Sequence, residues 1–260
     1  MIRNRAKERL NGGKDIKVFN VFDSLRPSLL KVVSQCGYDV ILIETEHVLH
    51  NPESLTNFLI MCNDNSVTPV VTIPSVSREI VSPLLDAGTQ GILLSHAEDP
   101  GQIDELVQWA KYPPVGQRAL AHAANAEYRI SDAKAFCGEV NDSTLLILKI
   151  ESWKGIENAE AIVSNPSIDA IVFGPGDLAA DMGLHGEWEH QDVISAMEKV
   201  VEIALANGKS VEAPVMASTR EQYLDQRAKG IQIFGSTRSN EYDLLRKGAS
   251  ENIASFLPEV

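Results

Sequence analysis

Apolar residues along this chain fall into eight short runs, at 16–22, 38–43, 68–73, 91–94, 144–150, 168–173, 210–212 and 230–234. Most are apolar at consecutive positions rather than alternate ones. That pattern predicts strands covered on both faces, as in a parallel sheet flanked by helices. Each run is followed by a stretch of helical period, at 27–36, 52–63, 77–87, 100–111, 152–164, 190–207, 219–229 and 240–256. Pro, Ser, Thr or Asn opens several of these stretches, and Gly37, Gly88, Gly208 and Gly230 close others, which is ordinary helix punctuation. Eight βα units in one chain predict a closed (β/α)8 barrel of the TIM type, spanning residues 1–260 as a single domain. An open doubly wound sheet is the competing architecture, but no GxGxxG follows the first strand run. One connection is unusually long, at 112–140, with a short helix expected near 132–137. Long connections in compact domains serve as lids, substrate loops or subunit contacts.

Composition narrows the class. The 260 residues are 44% hydrophobic, enough for a large core, and carry a net charge of −13. An acidic surface of this kind disfavours nucleic acid and anionic membrane. No apolar run reaches the length of a membrane span, and the charged start, Met1 to Leu10, lacks a signal-peptide apolar stretch. The expectation is a soluble, cytoplasmic protein. Cys36, Cys62 and Cys137 are widely spaced and form no CxxC pair, which argues against a disulfide framework or a zinc site.

In a parallel barrel the chemistry lies at the C-terminal strand ends. That rule selects Glu44, Glu46 and His47, then Thr72, Ser95 and His96, then Lys149 and Glu151, then Gly174 to Asp177, Pro214 and Val215, and Ser236 to Arg238. Glu151 and Asp177 end successive strands, which lie about 4.8 Å apart. Two carboxylates at one point repel unless a proton or cation lies between them, and a hard divalent cation (Mg²⁺, Mn²⁺ or Co²⁺) suits an oxygen-only donor pair. The alternative is a pair of exposed acids, with Asp177 serving a helix start. The free backbone N–H groups near Gly176, at that helix start, can hold a carboxylate. A metal beside them makes a clamp for a 2-oxo acid.

His47 follows a buried strand among acids and is suited to proton transfer; a surface histidine in a polar turn is the plainer reading. Asp86 ends a helix, where a negative charge is unfavourable without a partner. Lys149 stands two residues before Glu151, so both side chains face one side of the strand, toward the barrel lumen. A Schiff-base lysine is a rival reading, but neighbouring carboxylates favour the ammonium form. His96 and His122 read as structural or surface histidines. Arg118 is placed to pin the long connection, and Arg238 to reach the site.

Taken together these segments resemble the HpcH/HpaI aldolases, the class II pyruvate-type aldolase family. The matching pieces are Asn11 to Lys14, Ile41 to His47, Pro69 to Val71, Leu84 to Gly88, Tyr112 to Arg118, Ile150-Glu151 and Phe173 to Gly183. They run in the family's order over nearly the whole chain, and the last piece is the most specific. The resemblance implies a divalent metal on Glu151 and Asp177, with His47 and Asp86 in proton transfer. Glu44 occupies a position where the family usually has Asp, which makes it a further catalytic candidate. The resemblance also implies a homo-oligomer, a hexamer built from dimers that exchange the C-terminal helix at about 240–256. Three positions depart from the pattern. Thr72 replaces an Arg that contacts substrate in the family, Lys149 replaces a Gln, and Gly235-Ser236-Thr237-Arg238 replaces Gly-Ser-Asp. Losing Arg and gaining Lys conserves the site's charge, so Lys149 is expected to take over part of the Arg role, with Thr72 beside it.

The function expected is a metal-dependent carbon–carbon lyase acting on a 4-hydroxy-2-oxo acid, with a 2-oxo acid and an aldehyde as small-molecule partners. Val215, with Met216, is expected to shape the acceptor end. Two alternatives stay open: a decarboxylating or condensing enzyme that uses the same enolate, and a non-catalytic homologue that binds 2-oxo acids.

Overall fold

A computed structural model describes residues 2–257, apart from the side chains of Ser236 and Thr237, two of the strand-end candidates, which lie outside the described residues. The eight strands are β1 (Ile16–Val21), β2 (Val40–Ile43), β3 (Thr68–Ile73), β4 (Gly91–Leu94), β5 (Leu145–Ile150), β6 (Ala170–Phe173), β7 (Ser210–Val211) and β8 (Ile233–Asn240). All pair in parallel, in the order β7-β6-β5-β4-β3-β2-β1-β8, and a parallel bridge between Glu212 and Ile233 joins the two ends of that order. The expected barrel is therefore present. The last strand runs six residues further than its apolar run, because Ser236 and Asn240 pair with β1 across a register shift.

Pleating sorts the strand residues into two populations. Val18, Val40, Leu42, Val70, Leu93, Leu145, Ile147, Ala170 and Val172 fill the lumen. Their neighbours Ile41, Ile43, Val71, Ile92, Leu146, Leu148, Ile150 and Phe173 pack outward on the helices. The alternation carries upward, so Glu44, Thr72, Lys149 and Glu151 stand in phase with the lumen residues below them.

The helices follow their capping signals. Helix α3 (Pro52–Asp64) starts at Asn51, whose side chain accepts from the Glu53 and Ser54 N–H groups. Helix α4 (Arg78–Asp86) starts at Ser77. The stretch after β5 divides into α7 (Trp153–Glu157) and α8 (Ala159–Val163) rather than running as one helix. A helix at the start of the chain, α1 (Arg5–Asn11), plugs the foot of the barrel with buried Ala6 and Leu10. The charged residues around those two give no apolar run, so sequence pattern alone did not mark it. No described helix is long and apolar enough to cross a membrane.

The long connection runs from the end of α5 (Pro100–Ala110) to the start of β5. It therefore lies at the foot of the barrel, because it leads from a helix end to a strand beginning. It is not a lid over the mouth of its own chain. Its fold is tight: Tyr112 is buried and exchanges hydrogen bonds of 2.7 and 2.9 Å with the Asn141 side chain. Helix α6 (Ala133–Ser143) is present as expected and runs further than the short helix foreseen near 132–137.

The C-terminal helix, α12 (Glu241–Ala254), is held at its first turn. The buried Glu241 carboxylate accepts N–H groups of Phe22, Asp23 and Ser24 at 2.7, 3.0 and 3.0 Å. Beyond that turn Leu245, Ile253 and Phe256 are exposed.

Candidate active site

A cavity of about 600 Å³ opens at the C-terminal face of the barrel. Its lining includes Glu44, His47, Lys149, Gly176, Val215 and Arg238, so most of the expected site residues share one space.

Glu151 is the most deeply buried of the acids, at 1% exposure. Its Oε1 accepts the His96 backbone N–H at 2.8 Å. Its Oε2 is sealed from solvent and accepts no hydrogen bond. Two groups press on that oxygen. One is the Gly174 backbone, where an added Cβ would lie 2.1 Å away. The other is the Lys149 ammonium, 3.2 Å off as an ion pair. Burial pushes the Glu151 carboxyl above its ordinary value, and Lys149 and the His96 N–H hold it back. Lys149 feels the converse. Burial works against its ammonium, but Glu151, Glu46 and Glu44 outweigh that and raise its pKa. The ammonium form is thus the resident form, which disfavours an amine nucleophile.

Glu46 completes the cluster. Its Oε2 accepts the Ser95 hydroxyl at 2.5 Å, lies 3.6 Å from Lys149 Nζ and lies 3.9 Å from His47 Nε2. Glu44 serves the turn itself: its Oε1 accepts the N–H groups of Glu46 and His47 at 2.5 and 3.2 Å. That turn presents the His47 ring to the cavity, 62% exposed.

The donors suit a divalent cation. Among the described residues, ligand atoms of Glu46, His96 and Glu151 all lie within 4.8 Å of one another. Two carboxylates, a hydrogen-bond-free buried oxygen on one of them and one imidazole make an ordinary hard-to-borderline donor set. Asp177 is exposed, in the first turn of α9 (Pro175–Asp181) on the rim, outside that group of three. Glu46 and His96 entered the sequence reading only as strand-end residues. Their convergence depends on neighbouring strands, and on a left-handed backbone at His96, φ 45°, that turns its N–H to Glu151.

Thr72 and Asp86 stand elsewhere, and Arg238 reaches the cavity in a bracing role. Thr72 is buried on β3 outside the cavity lining, and its backbone carbonyl accepts the Thr45 hydroxyl. Asp86 lies at the foot of the barrel, where α4 ends before β4, and pairs with Arg118 at 2.5 Å. The chain by itself does not bring Asp86 to His47. The partner expected for an acid at a helix C-terminus is thus Arg118, whose guanidinium also lies 4.7 Å over the Tyr112 ring. Arg238 does line the cavity, but it is committed to Glu212 at 2.9 Å and to the carbonyls of Pro214 and Ala213 at 2.5 and 2.7 Å. It braces the β8 end against the loop that carries Val215.

Comparison with known proteins agrees with the barrel fold. The chain is 29% identical over 211 residues to a 5-keto-4-deoxy-D-glucarate aldolase of Escherichia coli O139:H28, covering 80% of this chain and 81% of that protein. It superimposes on an HpcH/HpaI aldolase from Desulfitobacterium hafniense DCB-2 with a TM-score of 0.89 and 25% identity, covering 98% and 96% of the two chains. It shares its fold with the citrate synthase SbnG, at a TM-score of 0.85, 24% identity and 98% and 97% coverage. The match to the HpcH/HpaI aldolase/citrate lyase family extends over residues 21–240, and the chain belongs to that family.

Proposed function

We propose that this chain is a carbon–carbon lyase that cleaves or forms a 4-hydroxy-2-oxo acid through a pyruvate-type enolate. The observation that carries the reading is the shared cavity, in which a solvent-open imidazole faces a buried carboxylate–ammonium cluster. Glu151 and Asp177 are the residues assigned to hold a divalent ion, with Glu46 and His96 as further donors. Such an ion, when bound, supplies Lewis-acid polarisation of the keto group. His47 removes the proton of the 4-hydroxyl. The C3–C4 bond then breaks, its electron pair passes to the 2-oxo group as an enolate, and the aldehyde leaves. The protonated His47 returns its proton to C3, giving the 2-oxo acid. The Glu44 carboxylate fixes the turn that aims His47, and the Glu46 carboxylate lies 3.9 Å from the His47 Nε2. The Lys149 ammonium opposes the negative charge that develops on the enolate oxygen. The N–H groups near Gly176 receive the substrate carboxylate, and Val215 borders the acceptor aldehyde.

Exchange of pyruvate methyl protons with D₂O, followed by NMR with Mg²⁺ or Mn²⁺ present, tests the reading. Exchange that falls to background in Glu151→Gln supports it. Absence of exchange with every 2-oxo acid tried refutes it. The buried Thr72, at a position where the family resemblance leads one to expect an arginine, favours one second reading, decarboxylation followed by addition. Mass analysis of products from oxaloacetate separates the two. The exposed face of α12 is assigned to contact with another copy of the chain, as in a trimer of dimers, and light scattering on the intact protein and on a Leu245→Lys variant tests that.

A further inference from the structure

Lys149 occupies the place in which a metal ion would be sought. Lys149 and Glu151 sit one pleat apart on the same side of β5, so the strand itself fixes the ammonium beside the carboxylate. The ammonium lies 3.2 Å from Glu151 Oε2 and 3.6 Å from Glu46 Oε2. Glu151 Oε1 is taken by the His96 N–H, and Glu46 Oε2 by the Ser95 hydroxyl. Glu151 Oε2 is closed to solvent, with the Gly174 backbone against it. A magnesium-like ion needs a carboxylate oxygen at about 2.0–2.1 Å. An ion at that distance from Oε2 on the Lys149 side lies within contact of the ammonium. Two cations do not share that seat. The same Lys149 side chain lines the cavity, so it has a second place to go when an anion is there.

We propose that Lys149 is a resident counter-cation that competes with a divalent ion for Glu46 and Glu151, and that an anionic 2-oxo acid relieves the competition by drawing the ammonium into the cavity. The second half rests on the 2-oxo acid reading above; the first half does not. The consequence is a Lys149-dependent coupling between ion and substrate, added to the coupling that direct contact of the ion with the keto group supplies. Each raises the affinity of the other by the same factor, as linkage demands.

Calorimetric titration of Mn²⁺ into the intact protein, with and without saturating pyruvate, measures this directly. Lys149→Gln removes the charge and keeps a polar chain of similar girth; Lys149→Met removes the donors as well. Thermal unfolding of both variants confirms that they are folded. Without pyruvate, Mn²⁺ is expected to bind both variants at least about ten-fold more tightly than the parent. Pyruvate is expected to tighten Mn²⁺ binding to the parent by about 5- to 150-fold, the usual span of such couplings, and by a smaller factor in the variants. Mn²⁺ affinity in the variants that is unchanged or weaker overturns the proposal, as does failure of parent and variants alike to bind the ion. Tighter Mn²⁺ binding in the variants, with no deuterium exchange by the parent protein from any 2-oxo acid, supports the competition and refutes the enolate reading. Normal exchange with unchanged Mn²⁺ affinity does the reverse.

Discussion

Gly174 offers the sharpest test of how the site is built. A methyl group there would stand 2.1 Å from Glu151 Oε2 and 2.7 Å from Glu151 Cβ. The backbone is not the obstacle, since Gly174 has φ −109°, which alanine adopts freely. The effect of Gly174→Ala is therefore steric, and it falls on one residue. The carboxylate oxygen must move from 2.1 Å to at least 3.0 Å, a retreat of about 0.9 Å, and misplacement on that scale costs up to about 100-fold in rate. Glu151 has no exposed side-chain surface to swing into, and its Cβ is also crowded, so β5 and β6 must part slightly. Overpacking of a tight interior costs about 1–3 kcal/mol, which for a chain of this size lowers the melting temperature by roughly 2–12 °C. The assay is thermal unfolding alongside Mn²⁺ titration and pyruvate exchange. The expected result is a folded but less stable protein with weakened ion binding and exchange reduced by about two orders of magnitude. A variant with parental melting temperature, affinity and exchange would show that Glu151 is not seated against Gly174, and the account of the site would fail with it.

Other outcomes follow from the same geometry. His47→Gln is expected to reduce exchange about 10²- to 10⁴-fold with an unchanged circular dichroism spectrum, because the ring is exposed; residual activity near the parental level would remove His47 from proton transfer. Asp86→Asn strips the partner from a guanidinium buried at the foot of the barrel, at a cost on the order of 3 kcal/mol, read by urea denaturation; an unchanged midpoint would show that the pair is dispensable. Burial, reinforced by Lys7, pulls the Lys111 ammonium down to about 7 from its ordinary 10.5. The unfolded chain holds that proton where the native chain releases it, so stability rises with pH from about 7 toward 10.5 and the gain is absent below. Denaturation at pH 6.5 and pH 9 should show this rise in the parent and a smaller one in Lys111→Met; equal slopes would refute the assignment.

The barrel was readable because doubly covered strands leave unbroken apolar runs, and helix caps mark what lies between. Period-two alternation also placed Lys149 and Glu151 correctly on one side of β5. The electrostatics of a helix end foretold a partner for Asp86, though not its identity. What pattern could not supply was contact between elements. Glu46 meets Ser95 and Lys149 only because β2, β4 and β5 converge on the lumen, and no spacing in the chain encodes that. His96 looked incidental because its contribution to Glu151 is a backbone N–H, which carries no residue signature. Arg238 reached the cavity as expected, yet its hydrogen bonds go to Glu212 and to two carbonyls, a bracing role that the charge alone did not suggest. Thr72 shows the opposite limit. The strand-end rule selected it, but a short side chain at that height stays below the cavity floor.

The grip of Glu241 on three successive backbone amides has a mechanical meaning for the tail of the molecule. The bend at which the last helix could swing must lie after that residue, because its first turn is riveted to the end of the first strand. Phe22, one of the three amides, also faces the substrate space. A load applied far out at Leu245 or Phe256 would thus be delivered to the rim at a single point, and docking of the tail on a neighbour would be felt where substrates enter.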